Sequence, residues 1–401
     1  MKIFNTTTLK HYCLTLMAVM LFVSCQEQSV DIEEVKIYQF PEAIDGVEKG
    51  LSAVYAGVVE NNLIFMGGCN FPEIPAVDGG AKRYYKAIYT APIPAENDTL
   101  LMWKKIGEID DASAYGVSIS MLGGVVCVGG LTSKESLSVA NIIMLDDSMN
   151  VMLNPLPDLP VTMDNMGGAA LDTMVIVAGG NVDGVPSNRV FLLDFTNLQQ
   201  EWIELPSFPG NPRVQPVCAV MTTEEEGKSF YIWGGFAGSV NGSVPSVSPS
   251  GYRYSFKRGE WIELPSPKVA EEEIFLGGSS AVVINDTMTA FIGGVNKDIF
   301  LKALQREKAI KEAVSQNDTI AEQLLRQEVR EYMLQQPEWY KFNSRVLVYN
   351  SLRNNWEEII VTPSTARAGA VLLHKDGVLY SVGGELKPGV RVAEVAAVKL
   401  Q

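Results

Sequence analysis

Histidine is nearly absent from this chain. Its 401 residues include two, and His11 falls in an N-terminal stretch that reads as a leader. His374 is then the one imidazole of the mature protein. This excludes His-rich zinc sites and paired-His copper sites. A Ser-His-Asp triad would have to recruit His374. That residue stands between two short apolar runs, directly before Lys375-Asp376-Gly377, and reads as a solvated part of a hairpin turn.

Positive charge is also scarce. Lys plus Arg total 32 against 47 for Asp plus Glu, a formal charge of −15. No basic stripe runs along the chain, so a nucleic-acid partner is not expected. Long apolar runs are missing outside the leader. Residues 1–24 carry Lys2 and Lys10 and then an apolar stretch from Cys13 to Val23. This is too short for a mature bilayer span but suits a signal peptide. It ends in Phe22-Val23-Ser24-Cys25, which resembles a bacterial lipobox with Cys25 as the lipid-anchored residue. Ordinary cleavage near Ser24 is the alternative. The expectation is an exported envelope protein, periplasmic or attached to membrane only through that anchor. Cys69, Cys127 and Cys218 show no CxxC spacing and lie in or beside apolar runs, so they read as small buried side chains.

What is abundant is glycine, 35 residues, with 20 prolines and 47% apolar residues. That suits many short strands. A doubled glycine closes an apolar run six times, at Gly67-Gly68, Gly129-Gly130, Gly179-Gly180, Gly234-Gly235, Gly293-Gly294 and Gly383-Gly384. A second signal follows most of them: a strand, then a tryptophan before a proline-bounded turn. Trp103, Trp202, Trp261 and Trp356 hold that place and read as core. The pattern resembles the kelch blade. It predicts an all-β chain over 25–401, a six-bladed kelch-type β-propeller. The last gap is much the longest. Its excess, about 298–340, is charged and has apolar residues at helical spacing (Ile310, Val314; Leu324, Leu325, Val329, Met333). It reads as a helical hairpin in the fifth blade, with Asn317 and Asp318 as caps. The segment Val35–Pro41 looks like a fourth strand without its first three, and the chain ends on a third strand without its fourth. The N-terminal strand should therefore close the last blade.

In such a blade the loop after the second strand and the loop between blades emerge on one face. That gathers Asn70 and Phe71, Asn181, Asn296, Ser113–Gly116, Asn211–Gln215 and Glu385–Arg391 around one mouth, with the helical hairpin as a possible lid. Glu385 and Arg391 place a carboxylate and a guanidinium at the two ends of a tight turn. They could hold and protonate an acidic substrate, or form a turn salt bridge. Arg213 could reach the axis or pin a neighbouring blade. Arg189 and Arg345 start third strands and read as structural. Asn70, Asn181 and Asn296 could be ligands or left-handed turn residues.

Four segments sharpen this. Gly384-Glu385-Leu386-Lys387-Pro388-Gly389-Val390-Arg391 resembles the Gly-Glu-x-Lys-Pro-Gly-x-Arg of bacterial N-acetylneuraminate epimerases, the sialic acid mutarotases. Phe208-Pro209-Gly210-Asn211-Pro212-Arg213, Asn296-Lys297-Asp298-Ile299-Phe300 and Ala114-Tyr115-Gly116-Val117-Ser118 are similar to three further segments of that family. Their order differs, which resembles a cyclically permuted branch. The resemblance implies interconversion of the α and β anomers of N-acetylneuraminate, a small acidic sugar, with no metal or cofactor. It implies Glu385 as acid/base and Arg391 as the group that binds or polarises the substrate. Arg213 would be a second contact, with Asn296, Tyr115 and Asn70 as further substrate-binding positions. Two other functions stay open. A non-catalytic kelch propeller binding glycan or protein would pair Glu385 with Arg391 and leave no pocket. An isomerase of another acidic sugar would use the same mouth.

Overall fold

Runs such as Leu63-Ile64-Phe65-Met66 and Val175-Ile176-Val177 do not alternate apolar with polar. A strand with that pattern must be covered on both faces. The computed structural model, which describes residues 35–42, 45–197 and 201–400, shows how. The described residues form six four-stranded antiparallel sheets. Each begins with an inner strand: Tyr55–Val59, Val117–Met121, Gly167–Leu171, Val217–Thr223, Ser279–Asn285 and Val371–Lys375. These inner strands touch one another in cyclic order, the last against the first. The sheets are the blades of a closed propeller, and their second strands are sandwiched between neighbours. The leader over 1–24 and Cys25 lie outside the described residues.

The glycine pairs sit where blades meet. Both members of every pair have positive φ, from 58° to 118°. A Cβ on Gly293 would collide with the backbone of Arg367, and one on Gly67 with that of Ser113. In both cases the obstacle is the segment entering the next blade. Only glycine supplies that turn and that close approach together.

A second device closes the ring. The residues just ahead of the six inner strands are Ala53, Tyr115, Asn165, Gln215, Gly278 and Gly369, all at positive φ. Each backbone N–H donates to the carbonyl of the previous one around the axis. The distances are 3.1 Å (Tyr115 to Ala53), 2.7 Å (Asn165 to Tyr115), 2.7 Å (Gln215 to Asn165), 3.4 Å (Gly278 to Gln215), 3.1 Å (Gly369 to Gly278) and 2.8 Å (Ala53 to Gly369). Six hydrogen bonds thus form a hoop that no sequence pattern announced.

Tryptophans stitch adjacent blades. The indole N–H of Trp103 donates to Gln39 O at 3.0 Å, that of Trp202 to Pro157 O at 2.8 Å and that of Trp261 to Pro206 O at 2.7 Å. Each bond crosses from one blade to the outer edge of the one before it. Val35–Gln39 pairs antiparallel with Glu394–Lys399, Val35 opposite Val398. The sixth blade therefore takes strands from both ends of the described chain, and its fourth strand covers an edge that would otherwise be open. Cys69, Cys127 and Cys218 are free thiols, two of them buried.

Between the second and third strands of the fifth blade stand α1, Lys297–Ser315, and α2, Thr319–Leu334. Asp318 caps α2 by accepting from Ala321 N at 3.0 Å, and Asn317 makes the left-handed turn before it. Val314 and Leu324 do not share the buried side of the pair; they are 48% and 60% exposed.

His374 corrects the solvated-turn expectation. It lies inside the inner strand Val371–Lys375, opposite Leu379, and the turn proper is Asp376-Gly377. Its Nε2 is buried without a partner. It borders an axial channel of about 390 Å³ that Asp172, Lys228 and Asp286 also line. Burial pushes its pKa below the usual 6.5, so the unfolded chain binds this proton more readily than the folded one. The contribution is complete above pH 6.5 and is lost as pH falls from there through the depressed folded value. We expect the melting temperature of wild type to drop over that window and His374→Leu to flatten the drop, read by thermal unfolding across a pH series.

Candidate active site

The mouth of the propeller is built on the hoop. Three hoop residues carry polar side chains, Tyr115, Asn165 and Gln215. The other three, Gly278, Gly369 and Ala53, carry a hydrogen or a methyl. The small side chains are consecutive, so one half of the hoop carries little side-chain bulk. The sixth blade supplies the charged pair to that half. Its loop folds into a small hairpin, Glu385–Lys387 with Val390–Arg391, in which Glu385 and Arg391 are directly opposed. Cross-strand neighbours are close enough to bond, and Arg391 Nη1 donates to Glu385 Oε2. Gly389 lets the hairpin tip approach the first blade, since a Cβ there would lie 2.6 Å from Ala76 Cβ.

Arg391 is 5% exposed at its side chain and Glu385 is 28% exposed. The guanidinium lies 5.4 Å over the Phe71 ring. Its Nε is buried and has no hydrogen-bond partner. An unmatched donor on a buried cation costs free energy unless something accepts from it.

The loop after Asn70 brings three more groups, Phe71, Lys82 and Tyr84. Lys82 Nζ donates to Tyr115 Oη at 2.9 Å. Burial lowers the Lys82 pKa, helped by the charge of Arg391. Burial raises Tyr115 strongly and pushes Tyr84 up to about 12; Arg391 opposes both shifts. The mouth thus holds two cations, one carboxylate and two protonated phenols.

Across the axis is a carboxylate that sequence reasoning missed. Asp164, 3% exposed, accepts from Asn165 Nδ2 and Asn181 Nδ2, each at 2.7 Å, and from Ser136 Oγ. Gln215 Nε2 extends this chain to Asn165 Oδ1 at 2.9 Å. Asn181 therefore holds a buried acid. The only sequence signal was position, since Asp164-Asn165 precedes an inner strand as Ala114-Tyr115 does.

Three of the expected substrate contacts bond groups of the protein itself. Arg213 is 1% exposed. Its guanidinium donates to the carbonyls of Asn211, Gly234 and Ser250 and packs on Phe208 and Tyr252. Arg367 repeats this in the sixth blade, donating to Gly383 O at 3.1 Å. Both arginines bind the carbonyl of the first residue of a glycine pair. Asn70 is 2% exposed; its Nδ2 donates to Gly46 O and Gly50 O and its Oδ1 accepts from Tyr85. Asn296 caps α1, accepting from Asp298 N and Ile299 N. Arg189 pairs with Glu204, and Arg345 with Glu272 and Glu358, as structural residues would.

Residues 156–401 match the N-acetylneuraminate epimerase family. The chain belongs to that family. The matched span contains the Phe208–Arg213, Asn296–Phe300 and Gly384–Arg391 segments. The N-acetylneuraminate epimerase of Haemophilus influenzae (strain PittEE) is 33% identical over 241 residues, 59% of this chain and 57% of that protein. That of Yersinia pestis (strain Pestoides F) is 28% identical over 274 residues, 66% and 63% respectively. The chain thus spans about three fifths of the length of the epimerases it matches. A solved structure of YjhT shares the fold, with a TM-score of 0.50 at 24% identity over 61% of this chain and 67% of that one.

The epimerase-family mouth is bridged by the helical pair. On one side Phe300 of α1 meets Phe236 edge-on at 4.6 Å. On the other, Arg330 of α2 bonds Asp78 at 2.9 Å. Lys387, between the two charged site residues, donates to Met333 O at 3.2 Å and Gln335 O at 2.6 Å, satisfying carbonyls at the α2 C-terminus. Lys387→Met should loosen that end. An ionic hydrogen bond contributes roughly 1.5–3 kcal/mol, so amides of residues 328–335 should exchange about tenfold faster or more by hydrogen–deuterium exchange. Unchanged protection would show that Lys387 does not anchor the helices.

Proposed function

We propose that this chain interconverts the α and β anomers of N-acetylneuraminate. The observation that carries the reading is the guanidinium of Arg391, held beside the Glu385 carboxylate at the mouth. The sugar carboxylate is its natural acceptor. Glu385 then lies beside the anomeric centre. Its carboxylate takes the proton of the anomeric hydroxyl, the bond from anomeric carbon to ring oxygen breaks, and its electron pair leaves with the ring oxygen, which is protonated. The open-chain keto form rotates and recloses on the other carbonyl face as the protons return. Membership in the epimerase family supports this substrate, and general acid/base catalysis accounts for rate gains of about 10²–10⁴.

The order of the family segments supports a permuted member. Ala114–Ser118 lies outside the 156–401 match, and collinear similarity stops near three fifths of each relative. A ring can be cut between any two blades without moving its mouth. The leader and Cys25 support an exported, lipid-anchored envelope protein. A non-catalytic sugar-binding propeller is the second reading, favoured by the Glu385–Arg391 ion pair itself.

The deciding measurement is a proton NMR time course. Sialidase releases the α anomer, and appearance of the β anomer is followed with buffer or with the protein. Faster equilibration with protein supports the epimerase. Binding of the sugar without faster equilibration would leave the binding propeller.

A further inference from the structure

Anomer exchange needs two proton-handling groups, and Glu385 supplies one. The ring oxygen must receive a proton as the carboxylate removes another. We propose that Tyr115 is the second catalytic residue, its hydroxyl protonating the departing ring oxygen, with Lys82 behind it as the positioning residue that restores the proton. This rests on the epimerase reading above.

Hydrogen-bond direction carries the inference. Tyr115 Oη accepts from Lys82 Nζ at 2.9 Å and lies 3.4 Å from the Cys69 thiol, a second donor. A phenol oxygen has two lone pairs and one proton. With donors on both lone pairs, the proton is left to be donated elsewhere. Tyr115 is half-buried rather than sealed. As a hoop residue it stands two places from Gly369, whose neighbour Ala368 pairs with Glu385. Only Ala53 stands between them in the hoop, and the charge of Arg391, the partner of Glu385, acts on both Tyr115 and Lys82.

The energetics run the right way. Burial holds Tyr115 strongly protonated and weakens the hold of Lys82 on its own proton. If the phenol gives its proton to the ring oxygen, the phenolate is a far stronger base than the Lys82 amine. The ammonium proton then moves along the existing hydrogen bond. The balance is complete: Glu385 gains the anomeric proton, the ring oxygen gains the Tyr115 proton, Tyr115 regains one from Lys82, and Lys82 ends neutral. Reclosure on the opposite face reverses each transfer, so both directions need the ammonium form of Lys82.

The test is exchange NMR on the two anomers at equilibrium, with the buffer rate subtracted, from neutral to alkaline pH. Tyr115→Phe keeps the ring and loses the proton. It should lose the acceleration by on the order of 10²-fold while still giving a saturation-transfer signal with N-acetylneuraminate. Wild type should show an alkaline limb, falling as Lys82 deprotonates. Lys82→Arg should keep much of the neutral rate and push that limb upward, because a guanidinium stays protonated there. A packing role for Lys82 would not move the limb. If Tyr115→Phe is as fast as wild type, or the limb stays put in Lys82→Arg, the inference is overturned while the epimerase reading stands. If wild type gives no acceleration, both fall together. Should Tyr115→Phe not fold, the Lys82→Arg profile still decides.

Discussion

Glu385→Gln should fold normally and lose the acceleration of anomer exchange by about 10²–10⁴-fold. The amide keeps the volume of the side chain and an oxygen that can accept from Arg391, so the hairpin is preserved. What it loses is the capacity to take a proton. Loss of rate with retained binding of N-acetylneuraminate would separate chemistry from recognition. Arg391→Lys is the informative companion. It keeps the positive charge but replaces the planar fork with a point donor, and it should weaken binding before it alters the proton step. An unchanged rate in Glu385→Gln would remove Glu385 as the base and bring forward Asp164, the buried carboxylate across the hoop.

The second large effect is on stability. Arg213→Ala should cost about 3–5 kcal/mol, the range for emptying a large buried site and leaving carbonyls without donors. Its three carbonyl partners, Asn211, Gly234 and Ser250, lie 3.1–3.2 Å away. Two rings flank the guanidinium at 5.2 Å and 5.6 Å, which adds cation–π attraction. Arg213→Lys should recover only part of the loss, since one ammonium cannot reach three acceptors in that geometry. Urea unfolding of the two variants measures this. A substrate-binding Arg213 would give the opposite pattern, with full stability and weaker sugar binding.

Arg213 also shows where sequence reasoning stopped. Glycine pairs and tryptophans were legible because each repeats and each meets a requirement that recurs at every blade junction. The helical hairpin was legible because its composition breaks the pattern. Topology then put Arg213, Asn70 and Asn296 on the correct face. It could not tell whether their donors and acceptors face the mouth or the backbone beneath it, because that depends on partners far away in sequence. Arg213 and Asn296 bond backbone groups, and Asn70 bonds two backbone carbonyls and the Tyr85 hydroxyl. Lys82 escaped notice for the complementary reason. It lies in an irregular, aperiodic loop, and its partner Tyr115 belongs to another blade. His374 was misplaced because the turn begins two residues later, at Asp376.

The hoop at the axis has an electrical consequence. Its six peptide hydrogen bonds run head to tail in one rotational sense, so their dipoles lie along a closed circle and sum to nearly nothing. A helix end aligns its peptides and attracts anions; a circulating set of peptides does not. The floor of this site therefore gives a negatively charged sugar no net pull. Under the proposed function, recognition of its charge would fall to the rim, to Arg391 and Lys82, with no substitute from the backbone.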